Sequence, residues 1–326
     1  MTDAISSHRL GHVPVLLAEV TVGMAAEDEK LFIDGTFGRG GYSEALLQGA
    51  RCRVVALDRD PTAQHRAQEL KSNYRDRFTF CLGCFGDLDK ILFQQGIHDV
   101  DGGVVLDLGT SSPQLDDPTR GFSFRFDGPL DMRMGAEGGD AAGFINQATE
   151  SELTEVIYNY GEERRARAVA GEIVRVRSTQ AITRTGQLAD VVRRVVRKSV
   201  DGLDPATRTF QAIRIHINNE LGELQRGLVA AERMLSVGGR LVIVTFHSLE
   251  DRLVKAFLRE RSGKGRRPNR HTPEITKQAA PSFSLLNNRV IKPNSQEIKR
   301  NPRSRSARLR AAIRTAAPVW PMGVFT

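Results

Sequence analysis

Asp34-Gly35-Thr36-Phe37-Gly38-Arg39-Gly40-Gly41 places an acid and four glycines in one short stretch. Glycine has no side chain, so backbone N–H groups there can close on a ligand that a Cβ would hold off. The dinucleotide fingerprint G-x-G-x-x-G does not fit: from Gly38 the sixth position is Ser43, and from Gly35 the third is Phe37. A P-loop fails too, because no Lys-Ser/Thr pair follows Gly40. What remains is an acid followed by G-x-x-G-x-G-G. Two further carboxylates close later apolar runs, Asp58 in VVALDRD (54–60) and Asp107 in GVVLDLG (103–109). An ionised carboxylate at such a strand end can accept both hydroxyls of a ribose. A strand-ending Asp is often only a helix cap, but three acids on successive strand ends point to a nucleoside-bearing cofactor.

The elements that would position these groups are legible as short apolar runs bounded by Gly or Asp: LFIDGT (31–36), VVALDRD, FTFCLG (78–83), GVVLDLG and LVIVTFHS (241–248). They read as buried parallel strands, and between the first four lie segments of helical composition such as GYSEALLQG (41–49). That β-α-β-α order predicts a doubly wound α/β sheet with its ligands at the carboxyl ends of the strands. The fifth run lies too far from the fourth for one crossover helix, so an insertion is expected. Within it the sequence predicts a flexible Gly/Phe-rich stretch (116–143) and a helix opening at Thr149 with Glu152 in capping-box position. Helices near 161–177 and 185–199 and a long one near 206–235 follow. The expected domains are 1–115 with 216–326, carrying the cofactor, and an inserted helical domain at 116–215. Phe122, Phe124 and Phe126 alternate with polar residues, as in a stacking surface, a lid hinged at Gly121 and Gly128, or a hairpin burying one face.

Charge is unevenly spread over the 326 residues, whose net charge is +8. Residues 252–326 hold 18 Lys/Arg against Glu260, Glu274 and Glu297, so the remainder is acidic overall. Such a basic end suits a polyanionic partner, although a solvated tail is the plainer alternative. Cys52, Cys81 and Cys84 are too few for a disulfide framework, and the C-x-x-C at 81–84 has no second pair to complete a zinc site; packing cysteines are expected, and no metal. No apolar run is long enough to span a bilayer and the N-terminus has no signal-peptide pattern, so a cytoplasmic protein away from membranes is expected, as monomer or homodimer.

The acid and glycines at 34–41 are close to the first motif of class I methyltransferases, D-x-G-x-G-x-G, with the glycines one position wider. IDGTFGRGGYS (33–43), LDRDP (57–61), DLGTSSPQLDDPTRGFSFRFDGPLDMRM (107–134), YGEERRARAVA (160–170), ATRTFQAIRIHINNEL (206–221), GGRLVIVTFHSLEDRLVK (238–255) and NPRSRSARLR (301–310) go further. Together they resemble the ribosomal RNA small subunit methyltransferase H family nearly end to end. That resemblance implies a class I, Rossmann-like sheet with an inserted, mainly helical domain for RNA recognition. It implies N4-methylation of a cytidine in the decoding (P-site) region of 16S rRNA, with S-adenosyl-L-methionine as cofactor and the small ribosomal subunit as partner. Carried over by motif, the cofactor would touch Gly40, Gly41, Tyr42, Asp58, Phe85, Asp107 and Gln114.

Tyr42 stands where that family usually has His, a change without consequence if the contact is made by backbone. Phe85 could stack on adenine or pack in the core. Asp107 is the candidate catalytic acceptor for the amine proton, or else a cofactor contact alone. His247 and Glu250, just past the fifth strand, could position substrate, or His247 could cap a helix; His12 has no assignable partner. Arg164, Arg165 and Arg167 could meet phosphate or, with Glu162 and Glu163 beside them, form an ordinary charged surface, and in the tail Arg303 and Arg305 could meet phosphate. A methyltransferase for a small molecule would not need the basic tail, and an RNA-binding protein without catalysis would keep an empty pocket.

Overall fold

A computed structural model of the chain describes residues 14–197, 202–264 and 279–320; His12 lies outside them. In chain order it forms α1 (Leu17–Met24), β1 (Leu31–Asp34), α2 (Gly41–Gly49), β2 (Arg53–Asp58), α3 (Ala63–Tyr74), β3 (Phe78–Leu82), α4 (Leu88–Gln94) and β4 (Gly103–Asp107). Six helices follow: α5 (Ser112–Asp116), α6 (Ala141–Gln147), α7 (Glu150–Gly161), α8 (Ala166–Arg177), α9 (Thr185–Val195) and α10 (Ala206–Asn218). The chain ends with α11 (Glu220–Met234), β5 (Arg240–Thr245), α12 (Ser248–Arg261), β6 (Phe283–Leu285), α13 (Ser295–Arg300) and β7 (Arg308–Arg314). It divides into two compact units, Met1–Gly109 with Gly222–Thr326, and Thr110–Leu221. The first break therefore falls at Gly109, a left-handed turn residue (φ 93°) directly after β4, rather than at 116.

The first unit is built on a seven-stranded sheet of order β3-β2-β1-β4-β5-β7-β6. Strands β1 to β5 pair in parallel, and β7 runs antiparallel between β5 and β6. This is the doubly wound, Rossmann-like α/β sheet that the order of the apolar runs predicted. All five apolar runs form strands; β1, β2, β4 and β5 are covered on both faces, whereas β3, at the sheet edge, is only partly buried beyond Phe78. Leu31, Ile33, Val104, Leu106, Leu241 and Ile243 point to one core with Leu224, Leu228 and Phe257; Phe32, Val105, Val242 and Val244 point to the other with Leu46, Ala67 and Leu70. Each such side chain contributes roughly 1.5–3 kcal/mol by leaving water.

The second unit is helical around its own core of Ile145, Leu153, Ile157, Val169, Ile173, Leu188 and Phe210. Thr149 caps α7 as expected: Glu152 N–H donates to its Oγ1 at 3.2 Å, and its own N–H donates to Glu152 Oε2 at 2.7 Å. The single long helix expected near 206–235 is instead α10 and α11, broken at Asn219, whose φ is 47°. The Gly/Phe-rich stretch is not loose. Arg120 Nη2 donates to the carbonyls of Arg133 and Met134 (3.0 and 3.2 Å), and a Cβ at Gly128 would lie 1.9 Å from Pro118 O. Gly128 thus marks a close approach to the backbone of Pro118 rather than a hinge. Phe122 is buried and Phe124 meets Phe210 edge-on at 4.8 Å, while Phe126 alone of the three stays 59% exposed.

Candidate active site

The glycine turn joins β1 to α2 and is fastened from beneath. Gly35 N–H donates to Val105 O and Phe37 N–H to Leu57 O, which ties the turn to the neighbouring strands. Asp34 is fully buried: Ser43 Oγ donates to its Oδ2 at 2.7 Å and Thr36 N–H to its Oδ1 at 3.2 Å. Burial outweighs those two donors and lifts its carboxyl to about 6. At Gly41 a Cβ would stand 2.1 Å from Pro14 Cγ, so nothing larger fits where α2 begins. Gly40, in the left-handed region at φ 74°, lies against the Phe37 ring in the same way.

Asp58 ends β2 beside this turn. Gly38 N–H donates to its Oδ2 at 2.6 Å and Asp60 N–H to its Oδ1 at 2.8 Å, which fixes both oxygens and leaves each a second lone pair. Burial raises its pKa despite the two donors. Asp107 ends β4, and its N–H donates to Thr36 Oγ1 at 2.6 Å. Its Oδ1 is buried and has no hydrogen-bond partner among the described residues. Burial first, then the neighbouring Asp34 and Glu250, pushes its carboxyl well above the usual range. A buried acceptor left unpaired is costly, so this oxygen at the strand tip is a candidate to receive a hydrogen bond from a ligand. Three acids, two of them tied to the glycine turn by backbone hydrogen bonds, thus gather at adjacent strand tips of one unit.

The chain matches the MraW methylase family over residues 9–315. It belongs to that family. Among curated relatives it is 56% identical over 310 residues to the Ribosomal RNA small subunit methyltransferase H of Paramagnetospirillum magneticum, covering 95% of this chain and 97% of that protein. The protein of the same description from Rhodospirillum rubrum is 53% identical over 313 residues, covering 95% and 96%. A solved rRNA methylase from Streptococcus thermophilus aligns over 94% of this chain and 99% of its own, at 11% identity and a TM-score of 0.37.

The chain is accordingly a methyltransferase, and its cofactor is S-adenosyl-L-methionine. The strand-tip residues suit that molecule. Asp58 has the spare lone pairs a ribose diol requires, and the unpaired Asp107 Oδ1 is an anion-forming acceptor for a cationic ligand. Tyr42 is 4% exposed and its hydroxyl donates to Val15 O, so only its main chain is available to a cofactor. Phe85 is part-buried against the core, with its ring over Gly227, where a Cβ would come within 2.5 Å. The ring thus serves packing at one face at least. Gln114 belongs to the second unit, is 5% exposed, and accepts from Ser111 N–H at 3.0 Å in the capping box of α5.

Sequence reasoning missed Thr36, Ser43 and Pro14, whose roles depend on neighbours that only the folded turn supplies. His247 takes its helix-capping alternative: Glu250 N–H approaches its Nδ1 at 3.4 Å, and Glu250 Oε2 accepts from Phe246 N–H at 2.8 Å. Burial raises both Cys81 and Cys84, the latter to about 11, so these thiols stay protonated near neutral pH, as packing cysteines should.

Proposed function

We propose that this methylase N4-methylates a cytidine of 16S rRNA, in the decoding region at the P site of the small subunit. The observation that carries the reading is likeness across 95% of the chain to proteins described as Ribosomal RNA small subunit methyltransferase H. In this reading the main chain at Gly40, Gly41 and Tyr42 closes on the cofactor and Asp58 accepts its ribose hydroxyls. Phe85 walls the adenine side. When bound, S-adenosyl-L-methionine supplies an electrophilic methyl group on a sulfonium.

The chain's own work is to hold a weak nucleophile in line with that methyl and to take its proton. The lone pair of a cytosine amine is delocalised into the ring, so an acceptor on its N–H frees that pair as attack proceeds. Asp107 Oδ1, buried and unpaired, is the atom assigned to that acceptance. The target base must leave its stack to reach the strand tips, which is easiest in looped or single-stranded RNA. The helical second unit is assigned to RNA recognition, and Arg303 and Arg305, both exposed, to phosphate contact.

Asp107→Asn tests the assignment because it keeps the shape and removes the base. Turnover should fall by at least about a hundredfold, the usual scale of a lost general base, while the Kd for S-adenosyl-L-methionine changes far less. Equal losses in both would leave Asp107 a cofactor contact only. Mapping methylated cytidines in 16S rRNA from cells lacking the protein, with and without its restoration, tests the substrate.

A further inference from the structure

The helical second unit carries a cleft of about 660 Å³ whose lining includes Arg165, Arg193, Arg194 and Arg197 with Asp204 and Pro205. Four guanidiniums share it with one carboxylate. Two of the four are paired with acids. Arg193 is held by Asp204 at 2.9 Å and Asp190 at 3.0 Å and lies 5.6 Å over the Phe124 ring; Arg194 reaches Glu172 at 3.4 Å. Arg165 and Arg197 are exposed, and no acid pairs with either side chain among the described residues. Arg165 also stands at the start of α8, where the helix dipole disfavours a cation. Uncompensated like charge gathered in a concave site raises the local potential and favours an anion that several N–H forks can share.

We infer that this cleft binds the phosphodiester backbone of the RNA substrate, with Arg165 and Arg197 as the phosphate ligands and Arg193 as their fixed floor. The inference rests on the proposed rRNA substrate and adds to it a named contact in the inserted unit. A guanidinium fork matches the paired oxygens of a phosphate, and a wide, open cleft admits a chain that continues past it on either side. An acidic protein surface is the alternative partner.

The test is the double variant Arg165→Gln with Arg197→Gln, beside Arg165→Lys with Arg197→Lys, using naked 16S rRNA and assembled small subunits as separate probes. The Gln pair should weaken binding of naked rRNA about tenfold or more and raise KM more than it lowers kcat. The slope of log K against log salt should shrink by roughly 0.7–0.9 for each phosphate that is no longer neutralised. The Lys pair should recover most of the slope, because charge is kept while the fork is not. S-adenosyl-L-methionine affinity and thermal midpoint report that the fold is intact. Inorganic phosphate should inhibit the wild-type protein only weakly, as expected if the ligand is a chain of phosphates; tight inhibition would mark a site for free phosphate and overturn the assignment. Naked-rRNA affinity and salt slope equal to wild type would overturn the cleft while the substrate reading stands. Weakening seen only with assembled subunits would make the partner a ribosomal protein and overturn it likewise. A wild-type protein that methylates no rRNA overturns the substrate reading, and the cleft's RNA with it.

Discussion

Asp34 shows how far burial can move one carboxyl and what that does to the molecule. It is fully buried, and its pKa rises from 3.8 to about 6 because desolvation outweighs its two hydrogen-bond donors. Between those values the folded protein keeps a proton that the unfolded chain has released, so stability associated with this group is lost as pH rises through 6. In the cofactor-free protein, the stability difference between wild type and Asp34→Asn should therefore fall by about 2 kcal/mol between pH 4 and pH 7, as read by urea unfolding. Parallel curves for the two proteins would show that Asp34 is not buried as described. Asp58 and Asp107 were visible in the sequence because an acid after an apolar run marks a strand end wherever it occurs. The direction of a side chain leaves no such mark: Tyr42 turns inward to donate to the carbonyl of Val15, a partner distant in sequence.

At the scale of elements, the same division between local and distant causes decides what the sequence reveals. The five apolar runs became strands because their pattern is self-contained, whereas β7 could not be seen in ARLRAAIR. Leu309 and Ala311 of β7 face the core, and the intervening Arg308 and Arg310 look like part of a basic tail until Asp251 is placed opposite them. Arg308 Nη1 lies 2.8 Å from Asp251 Oδ2, and Arg310 Nε 2.8 Å from Asp251 Oδ1, which fastens β7 to α12. Asp251→Ala should thus cost about 2–3 kcal/mol, less than a fully buried pair because Arg308 is partly exposed, by leaving two guanidiniums of β7 uncompensated. Thermal unfolding in low and high salt would check this. A loss under about 0.5 kcal/mol would mean that strand pairing alone holds β7. The unforeseen break between α10 and α11 has a similar origin: a left-handed residue at Asn219 is cheap for that side chain, yet nothing nearby in sequence demands it.

For the whole molecule, the sum of charges overstated how much of the basic end is available to a partner. Arg261 is 1% exposed and bound to Glu232 at 2.9 Å, Arg314 donates to the carbonyls of Ser282 and Ala317, and Arg308 and Arg310 hold Asp251. These cations spend their charge inside the fold. The exposed cations in the described part of this region are Arg252, Lys255, Arg259 and Lys264 along and just after α12, Arg289 and Lys292, and Lys299, Arg300, Arg303 and Arg305, the last four around α13 and the short turn of helix that follows it. If those residues meet phosphates, the double change Arg303→Gln with Arg305→Gln should reduce the salt slope of rRNA binding by roughly one to two, at about 0.7–0.9 per phosphate, and leave S-adenosyl-L-methionine affinity alone. Arg308→Gln is the informative contrast, because it should lower thermal stability and barely move the slope. A slope unchanged in the first variant would confine RNA contact to other surfaces, and a slope lowered equally in both would mean that β7's arginines reach the substrate despite Asp251.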